Sequence, residues 1–111
     1  GLHLLFKIEC DALDDEDIGT IAAIIIRSFR FKAVVGIPRG VRLAEALKPF
    51  CQPEDEELDT LLVDDVATSF GSMEETRKKI PGPVRGVVIF ARSRCPSWIK
   101  SVFQLSEWAG P

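Results

Sequence analysis

The spacing of apolar positions assigns most of the chain to helices and strands. Ile18, Ile21, Ala22, Ile25 and Phe29 recur at i, i+3, i+4, i+7 and i+11, one stripe of a helix. Asp14, Asp15 and Asp17 stand before that stripe, where acids suit the positive end of a helix. Residues 2–9 (LHLLFKIE) are apolar and mildly alternating and predict a strand. Residues 33–37 (AVVGI) predict a short buried strand ending at Pro38-Arg39-Gly40. A second helix with Leu43, Ala44 and Leu47 inward should stop before Pro49. Residues 51–59 (CQPEDEELD) form an acidic surface connection. A buried strand over 60–63 then delivers Asp64 and Asp65 at its C-terminal end, followed by a loop over 66–71. Ser72 with Glu75 has the form of a capping box opening a third helix, which Pro81-Gly82-Pro83 ends. Residues 84–91 make a strongly apolar strand and 98–105 an edge strand. Strands alternating with helices predict one α/β domain over residues 1–111. It should be a mainly parallel sheet built from right-handed βαβ units, with helices on both faces.

Composition narrows the function classes. The 111 residues are 46% hydrophobic, enough for one real core, and no apolar run approaches the length of a membrane span. Seventeen acidic residues against fourteen basic ones, net charge −3, lack the positive field that general nucleic-acid binding needs. The three cysteines, Cys10, Cys51 and Cys95, are widely spaced with no CxxC, and His3 is the one histidine. That pattern suits neither a disulfide framework nor a zinc site, and fits a reducing cytoplasm. His3, Phe103 and Leu105 read as structural, and Trp108 as a packing or dimer contact.

In α/β sheets ligands bind where strand C-termini open into loops, which here are 38–40, 64–72 and 92–97. The segment LLVDDVATSFGS (residues 61–72) ends an apolar strand in two carboxylates and runs through a Thr/Ser/Gly loop into a helix. Backbone N–H groups at such a turn form an anion cradle suited to a phosphate monoester, and Thr68, Ser69 and Ser72 add hydroxyl donors. Ionised Asp64 and Asp65 are acceptors for hydroxyl groups or for a hydrated Mg²⁺. The same residues also fit a plainer arrangement, a buried strand ending in solvent and an ordinary turn. No GxxxxGK[ST] and no GxGxxG opening a helix is present, which disfavours P-loop and dinucleotide folds.

LLVDDVATSFGS resembles the signature of the type I phosphoribosyltransferases. VVGIPRGVRLAEAL (34–47) is similar to that family's pyrophosphate loop, and VVIFARSRCPSWIK (87–100) to the tail of the xanthine-guanine members. The three stretches come in the family's order and cover roughly two thirds of the chain. The resemblance implies a phosphoribosyltransferase core that binds phosphoribosyl pyrophosphate (PRPP) with Mg²⁺ and replaces pyrophosphate by a nucleobase, as a homodimer. It implies catalytic roles for Asp64 and Asp65 on the ribose hydroxyls and, indirectly, on Mg²⁺. Thr68, Ser69, Phe70, Gly71 and Ser72 would bind the 5′-phosphate. Pro38, Arg39 and Gly40 would form the pyrophosphate site, Arg39 and Gly40 through backbone N–H groups exposed by a tight turn. Arg92, Trp98 and Ile99 would hold the base, with a 6-oxopurine favoured over orotate; Trp98 fits equally as an edge-strand aromatic covering the core.

The chain departs from the family at three places. Thr68 stands where purine members carry a carboxylate, a feature similar to the orotate enzymes. Phe70 replaces the loop's first glycine, which is compatible with the turn at negative φ with the ring turned away from the phosphate. The family's hairpin and mobile loop are reduced to residues 49–59, an acidic run of the wrong sign for pyrophosphate, and its hood is absent or reduced. A binding module without transfer activity is the alternative these departures imply.

Overall fold

The computed structural model describes residues 13–67 and 69–104. The strand at 2–9, His3, Cys10, Thr68, Leu105 and Trp108 lie outside the described residues. Helix α1 (Asp15–Ser28) starts with a reciprocal capping box, in which Asp14 accepts from the Asp17 N–H at 2.8 Å and Asp17 from the Asp14 N–H at 3.1 Å. Ile18, Ile21, Ala22 and Ile25 form its buried stripe. Strand β1 (Ala33–Gly36), a 3₁₀ turn (Pro38–Gly40) and α2 (Val41–Leu47) follow. Next come β2 (Thr60–Ala67), α3 (Gly71–Lys79), β3 (Val84–Ala91) and β4 (Ile99–Gln104).

The four strands make one sheet in the order β1-β2-β3-β4, every neighbouring pair parallel. Successive residues of a strand point to opposite faces, and two hydrophobic clusters result. On the first face Leu61, Val63, Val87 and Ile89 pack against α1 and against Leu43, Ala44 and Leu47 of α2. On the second, Leu62, Val88 and Ile99 pack against Met73 of α3. Helices thus cover both faces, as the sequence predicts. Among the described residues no helix is long and apolar enough to cross a membrane. Cys51 and Cys95 are free thiols, which burial pushes up from their ordinary value.

One topological expectation fails. The steps β1→β2 and β2→β3 run the same way across the sheet, yet α2 lies on the first face and α3 on the second. Two such crossovers are necessarily of opposite hand, so they are not both right-handed units. Close packing holds α2 on its face: a Cβ on Gly36 would come within 2.9 Å of both the Ala44 Cβ and the Gly40 carbonyl oxygen. The long connection from residue 48 to 59 then carries the chain back to the start of β2.

Candidate functional site

At the C-terminal edge of the sheet, neighbouring strands β1 and β2 send the chain to opposite faces. Such a divergence opens a crevice between the two strand ends, the usual ligand position in an open α/β sheet. The 3₁₀ turn after β1 closes the crevice floor. Ile37 N–H donates to the Val63 carbonyl at 3.0 Å, and Gly40 lies so close to β2 that a Cβ would meet the Val63 carbonyl oxygen and the Asp64 Cα. The Gly40 N–H donates to Ile37 O at 2.6 Å and Gly40 is buried. The Gly40 N–H expected at a pyrophosphate is therefore spent inside the turn. What the turn presents outward is the Arg39 side chain, 61% exposed.

Asp64 and Asp65 do not follow β2 but lie within it, since β3 offers a ladder partner as far as Ala91. Strand alternation starts their side chains toward opposite faces, yet the two carboxyl groups stay within hydrogen-bonding reach of each other. Asp65 turns to the first face, where it borders a small cavity with Leu13, Ile18, Arg39, Arg42, Leu43 and Ile89. Its carboxylate is 3.1 Å from Arg39 Nε and accepts from the Val66 N–H at 2.6 Å. Asp64 is half-buried and accepts from the Asp65 N–H at 2.8 Å. Burial pushes its carboxyl from the ordinary 3.8 up to about 6, with the Asp65 carboxylate adding to the rise and its own hydrogen bond and Arg39 opposing it.

The start of α3 differs from its sequence reading. The helix begins at Gly71 with Phe70 as N-cap and no side-chain cap, so the Ser72–Glu75 capping box does not form; Glu75 pairs with Lys78 at 3.6 Å instead. The first intrahelical bond runs from the Glu74 N–H to Phe70 O. The N–H groups of Gly71, Ser72 and Met73 consequently have no acceptor in the helix. Phe70 has φ −114°, so it fits the turn without strain, and its half-buried ring packs on the second cluster. Ser69, Gly71 and Ser72 are exposed, and nothing lies within 4 Å of a Cβ added at Gly71.

The base-side set does not come together. Arg92 stands at the end of β3, its N–H bonded to Ala67 O at 2.9 Å. Trp98 instead precedes β4, with its carbonyl bonded to the Gly86 N–H at 2.9 Å. At a strand rise of ~3.3 Å per residue that is about 17 Å short of Ala91. Its indole N–H donates to Glu74 at 2.7 Å, and the Arg77 guanidinium sits 4.6 Å over its ring, so the indole pins α3 to the sheet. Ile99 is buried in the second cluster and its N–H is taken by Pro96 O at 3.0 Å. Neither is placed to stack on or contact a base.

The acidic connection is also elsewhere than a lid would be. Gln52 N–H bonds to Phe31 O, Lys32 N–H to Asp59 O, and Asp55 lies 3.8 Å from Arg30, all at the N-terminal ends of the strands. Sequence reasoning missed Arg42, which borders the same cavity as Arg39 and Asp65; the Arg39/Arg42 spacing of one turn was its only signal. Arg42 is bound to Leu13 O at 2.7 Å and Asp15 at 2.9 Å, which ties α2 to the start of α1.

Mg²⁺ takes about six hard oxygen ligands and keeps several waters. Among the described residues no group of three or more His, Cys, Asp or Glu side chains could hold it. One carboxylate on the crevice side, Asp64, suits an ion that arrives with a phosphate ligand and is met through water. Comparison of the chain with protein families, curated proteins and solved structures finds no match.

Proposed function

We propose that the crevice binds the phosphoribosyl group of PRPP, and that the chain transfers it to a nucleobase with release of pyrophosphate, as the resembled family does. The observation that carries this reading is the divergence of α2 and α3 from neighbouring strand ends, with complementary groups on either side. Asp64 stands near the C-terminal end of β2 beside Asp65, and α3, which follows β2, opens with an uncapped first turn. Arg39 reaches out of the turn after β1. A sugar diol on Asp64, a 5′-phosphate on the N–H groups of Gly71 and Ser72, and a diphosphate toward Arg39 satisfy each group with its chemical complement.

Transfer at C1 of the ribose builds positive charge on the sugar and negative charge on the leaving group. An ionised Asp64 favours the former and the Arg39 guanidinium the latter. Mg²⁺ bound with PRPP supplies further neutralisation of the leaving diphosphate. On the base side Arg92 is the remaining donor, suited to an exocyclic oxygen such as 6-oxopurines and orotate carry.

A pyrophosphate-release assay with PRPP, Mg²⁺ and a panel of purines, orotate and uracil tests the proposal. PRPP-dependent release that Asp64→Asn abolishes is expected; no release from wild type with any base overturns transfer. A second reading, binding of PRPP or a ribonucleotide without transfer, draws on one observation: the indole expected at the base is committed to Glu74 and Arg77. Calorimetric PRPP binding without release would favour it.

A further inference from the structure

The first face of the sheet is not covered to its end. Strand β4 lies at one edge, and a cavity of about 400 Å³ opens between it, β3 and the C-terminal half of α1. Val87 pairs in register with Lys100; Arg85 precedes the one by two residues and Val102 follows the other by two. Alternation therefore puts all four side chains on this face, and all four line the cavity. Ile24 of α1 and Phe29, the C-cap of that helix, form the opposite wall. Ile24 is a large apolar side chain left exposed to solvent. The rim carries charge of one sign. The Arg85 guanidinium stacks 4.9 Å from the centre of the Phe29 ring, which uses its flat face and leaves its in-plane N–H donors. Neither Arg85 nor Lys100 has a carboxylate partner among the described residues, and no acid lines the cavity. Elsewhere Arg30, Arg42, Lys48, Arg77 and Lys78 each pair with an acid.

We infer that this cavity binds a small amphipathic carboxylate, its apolar body against Ile24, Phe29, Val87 and Val102 and its anionic head on Arg85 and Lys100. The volume falls in the ~300–1,000 Å³ range of small-molecule sites, whose usual make-up is an apolar lining with a few placed polar groups. Charge selects this occupant over two others. A second copy docking by the same face about a two-fold axis would set Arg85 and Lys100 against their own counterparts. An anionic membrane surface is opposed by the net charge of −3, and a flat surface does not fill a concavity. Arg85 lies six residues before Ala91, ~20 Å along β3, so the cavity is remote from the crevice at the other edge of the sheet. The inference is thus independent of the phosphoribosyl reading.

An NMR chemical-shift titration of the full chain with octanoate, kept below its micelle concentration, tests this. Saturable shifts centred on Arg85, Val87 and Lys100, with a Kd of about 1 mM or tighter, are expected. Hexanoate, shorter by two methylenes, should bind about 10-fold more weakly. Octanol and octyltrimethylammonium carry the same chain without the anion and should bind at least about 10-fold more weakly. Lys100→Gln and Arg85→Gln should each weaken octanoate about 3- to 10-fold, and Arg85→Lys should recover part of the loss. Octanol or octyltrimethylammonium matching octanoate, wild-type affinity in both Gln variants, or no shift at these residues up to about 10 mM octanoate overturns the inference. Should Arg85→Gln not fold, Lys100→Gln at an exposed position of the edge strand decides alone, and wild-type affinity there overturns it. Two further outcomes overturn it by giving the face another occupant. One is a dimer in sedimentation velocity that Ile24→Asp dissociates; the other is co-sedimentation with vesicles of phosphatidylcholine and phosphatidylglycerol that Lys100→Gln abolishes.

Discussion

Burial holds the Asp64 carboxyl at about 6, well above its ordinary 3.8, and this gives two pH effects of opposite sign at one residue. Below about pH 4 the group is protonated in folded and unfolded chains alike and costs the fold nothing. As pH rises through the window from about 4 to 6 the unfolded chain releases the proton first, and stability falls. Asp64→Asn removes that penalty. It should raise stability at pH 7 by about 1 kcal/mol, after allowing for solvent screening of a half-buried group, and the gain should vanish near pH 4. Thermal melts at the two pH values check the sign; a variant less stable than wild type at pH 7 would contradict it. If Asp64 accepts from the ribose diol as proposed, ligand binding should respond the other way, because the diol needs an ionised acceptor. At pH 5 about one Asp64 in ten is ionised, so PRPP affinity should be about tenfold weaker than at pH 7. Asp64→Asn serves as the control for titration of the ligand's own phosphates.

The first turn of α3 and the turn after β1 make predictions that separate binding from stability. Ser72→Glu places a negative charge in the first turn of a helix that lacks a side-chain cap, which favours the helix by about 0.3–1 kcal/mol. The same charge repels a phosphate there. Melting temperature should hold or rise while PRPP affinity falls; unchanged affinity would remove the 5′-phosphate from this turn. Gly40→Ala drives a methyl into the backbone of Val63 and Asp64 and should cost about 1–3 kcal/mol in denaturant unfolding. The α1 stripe and its acids were legible because capping and burial there depend on neighbours within one turn. The strand 84–91 was legible because its apolar run is bounded by Pro83 and by Arg92. The start of α3 was not. Ser72 and Glu75 have capping spacing, but the ring of Phe70 is anchored in the second cluster, and the helix begins one residue after it. The extension of β2 through Asp64 and Asp65 was equally hidden, because the ladder to β3 sustains it and the polarity of its own residues does not.

Across the whole molecule, the arrangement of the crevice depends on a relation that no local pattern encodes. Helices α2 and α3 leave adjacent strands for opposite faces, and the hand of one crossover departs from the rule. The same global relation decides what the acidic run does. Along the chain, Glu54, Asp55, Glu56, Glu57 and Asp59 occupy the stretch where the resembled enzymes keep a mobile loop, and their charge opposes pyrophosphate. In the fold they lie beyond Thr60, at the N-terminal edge. At ~3.3 Å per residue, the start of β2 is about 13 Å from Asp64 and further from the loops that follow the strands. The Debye length at physiological ionic strength is about 8 Å, so most of the repulsion is screened before it reaches the crevice. Replacing Glu54, Glu56 and Glu57 together by Gln should leave PRPP affinity within about twofold at 0.15 M salt and strengthen it only when salt is lowered to about 0.01 M. Asp55 is kept in that variant because it pairs with Arg30. Calorimetry at the two salt concentrations measures both limbs. A gain of tenfold at 0.15 M would mean that the acidic connection reaches the ligand after all, as a lid drawn over the crevice from the far edge of the sheet.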